Sequence, residues 1–314
     1  MTDEKKLAAA YQAADRIMKE RAVSFYHAFS HIPAERFQGV TAVYAFCRYA
    51  DDLVDCTAAK GGTAAVSDRL DELEQLITRI CSDAVPSGSG TDRYPAVYEP
   101  WWPAFEDTVT RYRIPAAGFL MQIDGQRLDM APEDIQDTDE LIRYCRLVAG
   151  SVGRMMLPFL ARPEVCTDEP LIEACEQLGI AMQITNILRD VGEDLREKNK
   201  VYIPASLLTE YGVGRETLTV LAHRMKDEPA QPVPEPFIRL WEALAATADR
   251  YYLPYQKMRD CFHPQCFVPL FAAAKMYQAI AGAVRAAAYN CFTQRCYTDA
   301  ETRKSILLEA QSLK

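Results

Sequence analysis

The chain has 314 residues, enough for one large domain or two small ones, and at 49% hydrophobic and 25% charged it has an ordinary globular composition. A net charge of -9 at pH 7 leaves no basic face for nucleic acid, so an anionic ligand has to be held by local Arg, Lys or metal. Ten Cys occur without a C-x-x-C pair, and the spacings Cys261/Cys266 and Cys291/Cys296 do not suit a zinc knuckle, which predicts reduced, mostly buried thiols in a cytoplasmic protein.

The N-terminus, MTDEKKLAAAYQAADR, is charged and then amphipathic and does not read as a signal peptide. Gly is sparse, Ala is abundant and helical spacing recurs almost throughout, so the expected fold is all-α in one helical domain spanning 1–314. Helices are predicted at 4–20, at 24–31, and from just after Pro33 to Asp55, with proline in a favourable N-terminal position. Further helices are predicted at 66–81, 97–111, 115–130 and 138–157, the last begun by a cap at Asp137, with SDAVPSGSGTDRYP as a loop at 82–95. A long helix at 168–195 leads into a basic, Pro-stopped turn at 197–204, and MKDEPAQPVPEP forms a second loop at 225–236. Helices at 237–259, 266–290 and 299–312 complete the chain. Its longest apolar stretch, 267–289, is broken by Lys275 and Arg285 and reads as a buried helix rather than a membrane span.

Two acidic stretches stand out against this background. Asp51 and Asp55 are four residues apart, and so are Asp190 and Asp194; on a helix each pair lies on one face. Like charges at that spacing cost an isolated helix a few tenths of a kcal/mol. One such pair is ordinarily a solvated helix face. Here both are led in by apolar runs, Tyr44-Ala45-Phe46-Cys47 and Leu178 to Ile184, and partly buried carboxylates need a cation. Asn186 extends the second pair into a polar stripe over two turns, while Arg48 and Arg189 lie beside the two clusters. The first pair also falls at a helix C-terminus, where the dipole disfavours anions. Oxygen ligands of this kind suit magnesium, which commonly brings substrate phosphates with it.

Tyr44-Ala45-Phe46-Cys47-Arg48-Tyr49-Ala50-Asp51-Asp52-Leu53-Val54-Asp55, with Gln183-x-x-Asn186-Ile187-Leu188-Arg189-Asp190-Val191-Gly192-Glu193-Asp194, resembles the two signatures of the squalene/phytoene synthase family, nearest its bacterial carotenoid branch. The resemblance spans nearly the whole chain: Ser24-Phe25, the run from Tyr144 to Gly153, and Tyr202-Ile203-Pro204 also resemble family segments. Arg21-Ala22-Val23 departs from relatives that often carry His, Lys or a second Ser before the Ser-Phe; Arg21 is the candidate replacement for a phosphate contact there.

The resemblance implies an isoprenoid-synthase-like helical bundle with a central apolar cavity. It implies head-to-head condensation of two prenyl diphosphates through a cyclopropylcarbinyl diphosphate, releasing pyrophosphate and yielding a thirty-carbon dehydrosqualene or forty-carbon phytoene. Farnesyl diphosphate is favoured over geranylgeranyl diphosphate on the bulk of Phe29, which the small Thr41 only partly offsets. Asp51, Asp55, Asp190 and Asp194 would hold two or three magnesium ions with Asn186 in support, and Arg48, Arg189 and Lys200 would grip phosphate. NADPH is expected to be dispensable. Ser24, Phe25, Phe29, Gln183, Val148, Ala149, Val152, Gly153 and Tyr202 would line the substrate site. Tyr44, Tyr144 and Tyr289 would face a carbocation, an interaction of about 0.5–2 kcal/mol, although plain core packing explains an aromatic equally well. Asp124 and Asp129 read as rim or solvated residues, and Glu193 as a surface or supporting group.

The rival readings are an NADPH-dependent squalene synthase, a terpene cyclase and a non-catalytic relative. Asp51-Asp52-x-x-Asp55 fits the cyclases' Asp-rich box, but the Arg189-Asp190-Val191-Gly192-Glu193-Asp194 context favours the head-to-head family, and the four Asp argue against a scaffold. The apolar product implies loose association with a membrane surface, and nothing in the pattern specifies an oligomeric state. Asn at position 51 or 190 is expected to leave the melting temperature unchanged or raised, by relief of repulsion.

Overall fold

A computed structural model describes residues 3–58, 63–82, 99–130, 133–224 and 232–313; the side chains of Ser24 and Asp55, most of the predicted 82–95 loop and the start of the 225–236 loop lie outside the described residues. Among those described, the chain is all-α, with no strand beyond one bridge between Ala161 and Phe262. The helices are α1 (Asp3–Arg21), α2 (Val23–Phe29), α3 (Ala34–Ala58), α4 (Thr63–Cys81), α5 (Trp102–Tyr112), α6 (Ala116–Asp129), α7 (Thr138–Cys145) and α8 (Ser151–Leu160). They continue with α9 (Glu169–Arg189), α10 (Val191–Lys198), α11 (Ala205–Glu210), α12 (Arg215–Ala222), α13 (Glu235–Tyr251), α14 (Pro254–Lys257), α15 (Pro264–Gln278), α16 (Ile280–Ala286) and α17 (Ala300–Gln311). The helices α11 and α12 carry too few periodic residues to be seen in the sequence pattern.

The chain divides into two compact units, each assembled from three separate stretches: residues 1–131, 151–172 and 260–270 in one, and 132–150, 173–259 and 271–314 in the other. Because each unit recurs along the chain, neither has a boundary that composition reveals.

In the first unit α3 is the central helix, with α1, α4, α5, α6 and α8 packed around it. Its apolar positions Val43, Phe46, Cys47, Ala50 and Leu53 recur at helical spacing and are all buried. Phe46 stacks on Phe105 at 4.9 Å and meets Phe119 edge-on at 5.0 Å, joining α3 to α5 and α6. Gly39 lies directly under the ring of Phe159, so α8 crosses α3 at a point where a side chain would not fit.

In the second unit the predicted helix at 138–157 is interrupted. Asp137 caps α7 by accepting from the Glu140 amide at 2.9 Å, as the sequence predicts, and the Glu140 carboxylate returns the bond to the Gln136 amide at 2.7 Å. Residues Arg146–Gly150 then form a π-helical turn. Arg146 at its start is tied to Glu173 at 2.9 Å and to the buried carboxylate of Glu176. Gly179 sits against the backbone of that turn, where a Cβ would overlap the Ala149 carbonyl and stand 2.7 Å from the Gly150 nitrogen.

The predicted helix at 266–290 also proves to be two, α15 and α16, parted at Ala279. The run Pro264–Ala286 is long and apolar enough to cross a membrane by length and composition, and half of its most apolar window is buried.

Gly179 yields a test with an unusual sign. Alanine in place of a mid-helix glycine ordinarily gains roughly 0.5–1 kcal/mol. Gly179→Ala should instead lose about 1–3 kcal/mol, because the clash is with backbone that cannot rotate away. Thermal unfolding measures it, and an unchanged or raised melting temperature would contradict the close approach.

Candidate active site

The first acidic stretch occupies the last two turns of α3. The apolar face of α3 is anchored in the core, so the half-buried Asp51 is presented towards α6. There its Oδ1 accepts from Gln126 Nε2 at 2.5 Å and from Gln122 Nε2 at 3.3 Å, while Gln122 Oε1 accepts from Ser151 Oγ at 2.7 Å. Burial pushes the Cys47 thiol well above its usual range, and the charge of Asp51 one turn on pushes it further. Arg48 pairs with Asp52 rather than Asp51, leaving its buried Nε without a hydrogen bond. Burial lowers the basicity of that guanidinium, but the bond and charge of Asp52, joined by the charge of Asp51, outweigh it, so the net shift is upward. Tyr44 is half-buried on the same helix, Phe25 stacks on Phe29 at 6.2 Å, and Val152 and Gly153 are half-buried on α8. Thr41 is buried and turns its hydroxyl back onto the Gln38 carbonyl at 2.9 Å.

The second stretch differs from expectation in its backbone. The helix predicted at 168–195 breaks at Asp190 (φ -107, ψ 14) into α9 and α10. A continuous helix would bond the Gly192 amide to the Leu188 carbonyl. That carbonyl accepts instead from Trp241 Nε1 at 3.0 Å, and the Gly192 amide goes to the Cys291 carbonyl at 3.1 Å. Gly192 is required because a Cβ would run into the Phe292 backbone. On either side the ladder persists, from Asp190 to the Asn186 carbonyl and from Asp194 to that of Asp190, both at 2.9 Å. The four-residue register of the polar stripe therefore survives the break.

Charge is handled differently here. Arg189, only 7% exposed, forks onto its neighbour Asp190, with Nε donating at 2.7 Å. Burial lowers its basicity, and the bonds and charge of Asp190 more than restore it. Arg295 reaches the same carboxylate at 3.3 Å and Glu193 at 3.1 Å. Glu193 is thus tied to the cluster through Arg295. Asn186 donates to Gln183 Oε1 at 3.2 Å, while its own Oδ1 is buried with no donor.

The remaining candidates are spread through this unit. Tyr144 and Tyr202, both buried, stack at 5.2 Å, with the Lys200 ammonium 5.3 Å over the Tyr202 ring. Val148 and Ala149 lie in the π-turn. Tyr289 has a left-handed backbone (φ 60), donates its hydroxyl to Glu242 at 2.7 Å and meets Trp241 edge-on, so its polar end belongs to the Glu242–Arg285 ion pair. Asp124, expected to be solvated, pairs with Arg127 at 2.9 Å on the surface.

The sequence reading missed Gln122, Gln126 and Arg295. The glutamines occupy the same face of α6 as Phe119 and Ile123, an apolar register where an amide is out of place. Arg295 carries no local signal.

Among the described residues no three His, Cys, Asp or Glu side chains gather as a metal site. Each stretch offers carboxylate oxygens as its own ligand atoms, and in the second the buried Asn186 Oδ1 has no hydrogen-bond donor, chemistry that fits a hard cation rather than zinc.

The model of the squalene/phytoene synthase family matches residues 18–302, which take in both acidic stretches. Phytoene synthase, chloroplastic, of Narcissus pseudonarcissus is 30% identical over 301 residues, covering 95% of this chain and 65% of that protein. Phytoene synthase 2, chloroplastic, of Oryza sativa subsp. japonica is 31% identical over 296 residues, covering 93% and 68%. The chain thus spans about two thirds of the length of these curated relatives. A solved dehydrosqualene synthase in complex with a ligand is 30% identical with a TM-score of 0.80, covering 98% of both chains. Fold and match together define an all-α chain of the isoprenoid-synthase-like kind. The chain belongs to the squalene/phytoene synthase family.

The two acidic stretches should respond differently to neutralisation, contrary to the symmetric expectation from repulsion alone. Asp190→Asn leaves the buried Arg189 without its anion and should cost about 2 kcal/mol. Asp51→Asn removes a charge whose hydrogen bonds come from the neutral amides of Gln122 and Gln126 and should leave the melting temperature within a degree or two. Thermal unfolding of both variants checks this; equal losses would contradict it.

Proposed function

We propose that this chain joins two molecules of farnesyl diphosphate head to head, through a cyclopropylcarbinyl diphosphate, to give dehydrosqualene, a thirty-carbon carotenoid precursor. The observation that carries the reading is that both acidic stretches lie within the family match, with Asp51 half-buried on amide donors and Asp190 bracketed by guanidiniums. The likeness to a dehydrosqualene synthase along the full length of both chains supports it.

The chemistry runs as follows. The C–O bond of the first diphosphate breaks, pyrophosphate leaves with the electron pair, and the double bond of the second substrate attacks the allylic cation. Loss of a proton closes the cyclopropane. A second ionisation releases the other pyrophosphate, the skeleton rearranges, and loss of a proton gives the conjugated triene.

Arg48, Arg189 and Lys200 would bind phosphate oxygens, and Arg295 joins them because it shares Asp190 with Arg189. Magnesium, when bound, would supply charge neutralisation at the departing pyrophosphate, and Asp51, Asp55, Asn186, Asp190 and Asp194 would hold it. The rings of Tyr44 and Tyr144 would face the cation. Phe25, Phe29, Val148, Ala149, Val152 and Gly153 would keep water from it, since a single water quenches the intermediate. A forty-carbon product from geranylgeranyl diphosphate is the second reading, favoured by the identity to phytoene synthases.

Incubation with each prenyl diphosphate and magnesium, with and without NADPH, tests both. A conjugated triene formed without reductant is the expected outcome, and its mass separates thirty from forty carbons. A product that requires NADPH would make the chain a squalene synthase, and no hydrocarbon from either substrate would overturn the proposal. Asp51→Asn should lower turnover by at least about a thousandfold, roughly 4 kcal/mol of lost transition-state stabilisation.

A further inference from the structure

The buried face of α6 repeats at helical spacing as Gly118, Phe119, Gln122, Ile123, Gly125 and Gln126. Two amides on that face, exposed by only 2% and 4%, require an explanation. An unpaired buried amide costs about 1–3 kcal/mol, and leucine or methionine would fill the same space without that cost. Both amides are directed at one atom, Asp51 Oδ1, at 2.5 Å from Gln126 and 3.3 Å from Gln122.

A carboxylate only accepts, so each amide must turn its NH2 towards Asp51. The Gln122 carbonyl oxygen then faces away and takes the hydroxyl of Ser151, itself wholly buried on α8, at 2.7 Å. Ser151 thereby fixes which way Gln122 points. The result is a chain of neutral donors from α8 through α6 to α3.

Neutrality matters. Asp190 is gripped by Arg189 and Arg295, whose charges cancel its own. The amides on Asp51 carry no net charge, so they orient the carboxylate without adding to the pull that Arg48 already exerts on it. Both amides converge on Oδ1 and so fix the orientation of the carboxylate.

We infer that Gln126, Gln122 and Ser151 are positioning residues that aim the Asp51 carboxylate at a divalent cation, an inference that rests on the metal-holding role proposed for Asp51. The test is the magnesium concentration that half-maximally raises the melting temperature at fixed inorganic pyrophosphate. Gln126→Met keeps the side-chain volume and removes the donor, and it should raise that midpoint by about tenfold. Ser151→Ala, a small change to a better helix former, should raise it by about threefold, because Gln122 alone is released.

A merely structural role would lower the starting melting temperature and leave the magnesium midpoint in place. Midpoints within twofold of the native protein for both variants would overturn the inference while leaving the proposed reaction standing. A native protein that shows no magnesium-dependent shift would overturn the metal-holding role of Asp51, and the inference with it. A native shift without hydrocarbon from either prenyl diphosphate would overturn the reaction alone, and the midpoints would still decide the inference.

Discussion

The bond from the Gln126 amide to Asp51 and the fork from Arg189 to Asp190 answer one physical problem in two ways. A carboxylate drawn out of water must recover its lost hydration from the protein, and the kind of donor decides what it can bind next. Amides return hydrogen bonds and leave the charge. Guanidiniums return both bonds and charge, so an anion that attracts Arg189 and Arg295 competes with Asp190 for them. In the proposed reaction a diphosphate would be such an anion, and the paired cations would exchange one acid for another.

Holding those donors in place shapes the rest of each unit. In the first, α6 surrenders two core positions to glutamine and recovers the apolar contact through Phe119, which packs with Phe46 and Phe105. In the second, the path of α9 is bent to requirements set far away. Trp241 captures the Leu188 carbonyl, the Gly192 amide turns to Cys291, and Arg196 reaches the carbonyls of Phe292 and Ala222. Three groups that a regular helix would leave to itself or to solvent are satisfied by other elements. Asp190 sits at the resulting break, with a backbone geometry that a straight helix would not allow.

Two of the interruptions of long helices share a cause. At Gly179 and at Gly192 another segment's backbone occupies the space of a side chain, so glycine is the residue that permits the approach. The π-turn opposite Gly179 carries Val148 and Ala149, and the break beside Gly192 carries Asp190. Candidate substrate-facing residues therefore lie where helical regularity has been given up.

Hydrophobic period alone predicts most helices here, because it reflects a face buried along the helix's own length: α1, α3, α4, α6 and α17 fall within a few residues of their expected ranges. The acidic stretches are legible for the same reason, since a four-residue spacing is a local fact. Helix breaks at Asp190 and Ala279 and the π-turn at 146–150 are not legible, because the partners that impose them, such as Trp241 and Phe292, lie tens to a hundred residues away. The same holds for what each carboxylate touches. The sequence by itself determined an all-α chain of this family with two acid pairs in helical register. Only tertiary structure decided that Asp51 is held by neutral amides and Asp190 by guanidiniums, because a hydrogen bond is made by groups that folding brings within about 3 Å, however far apart they stand in the chain.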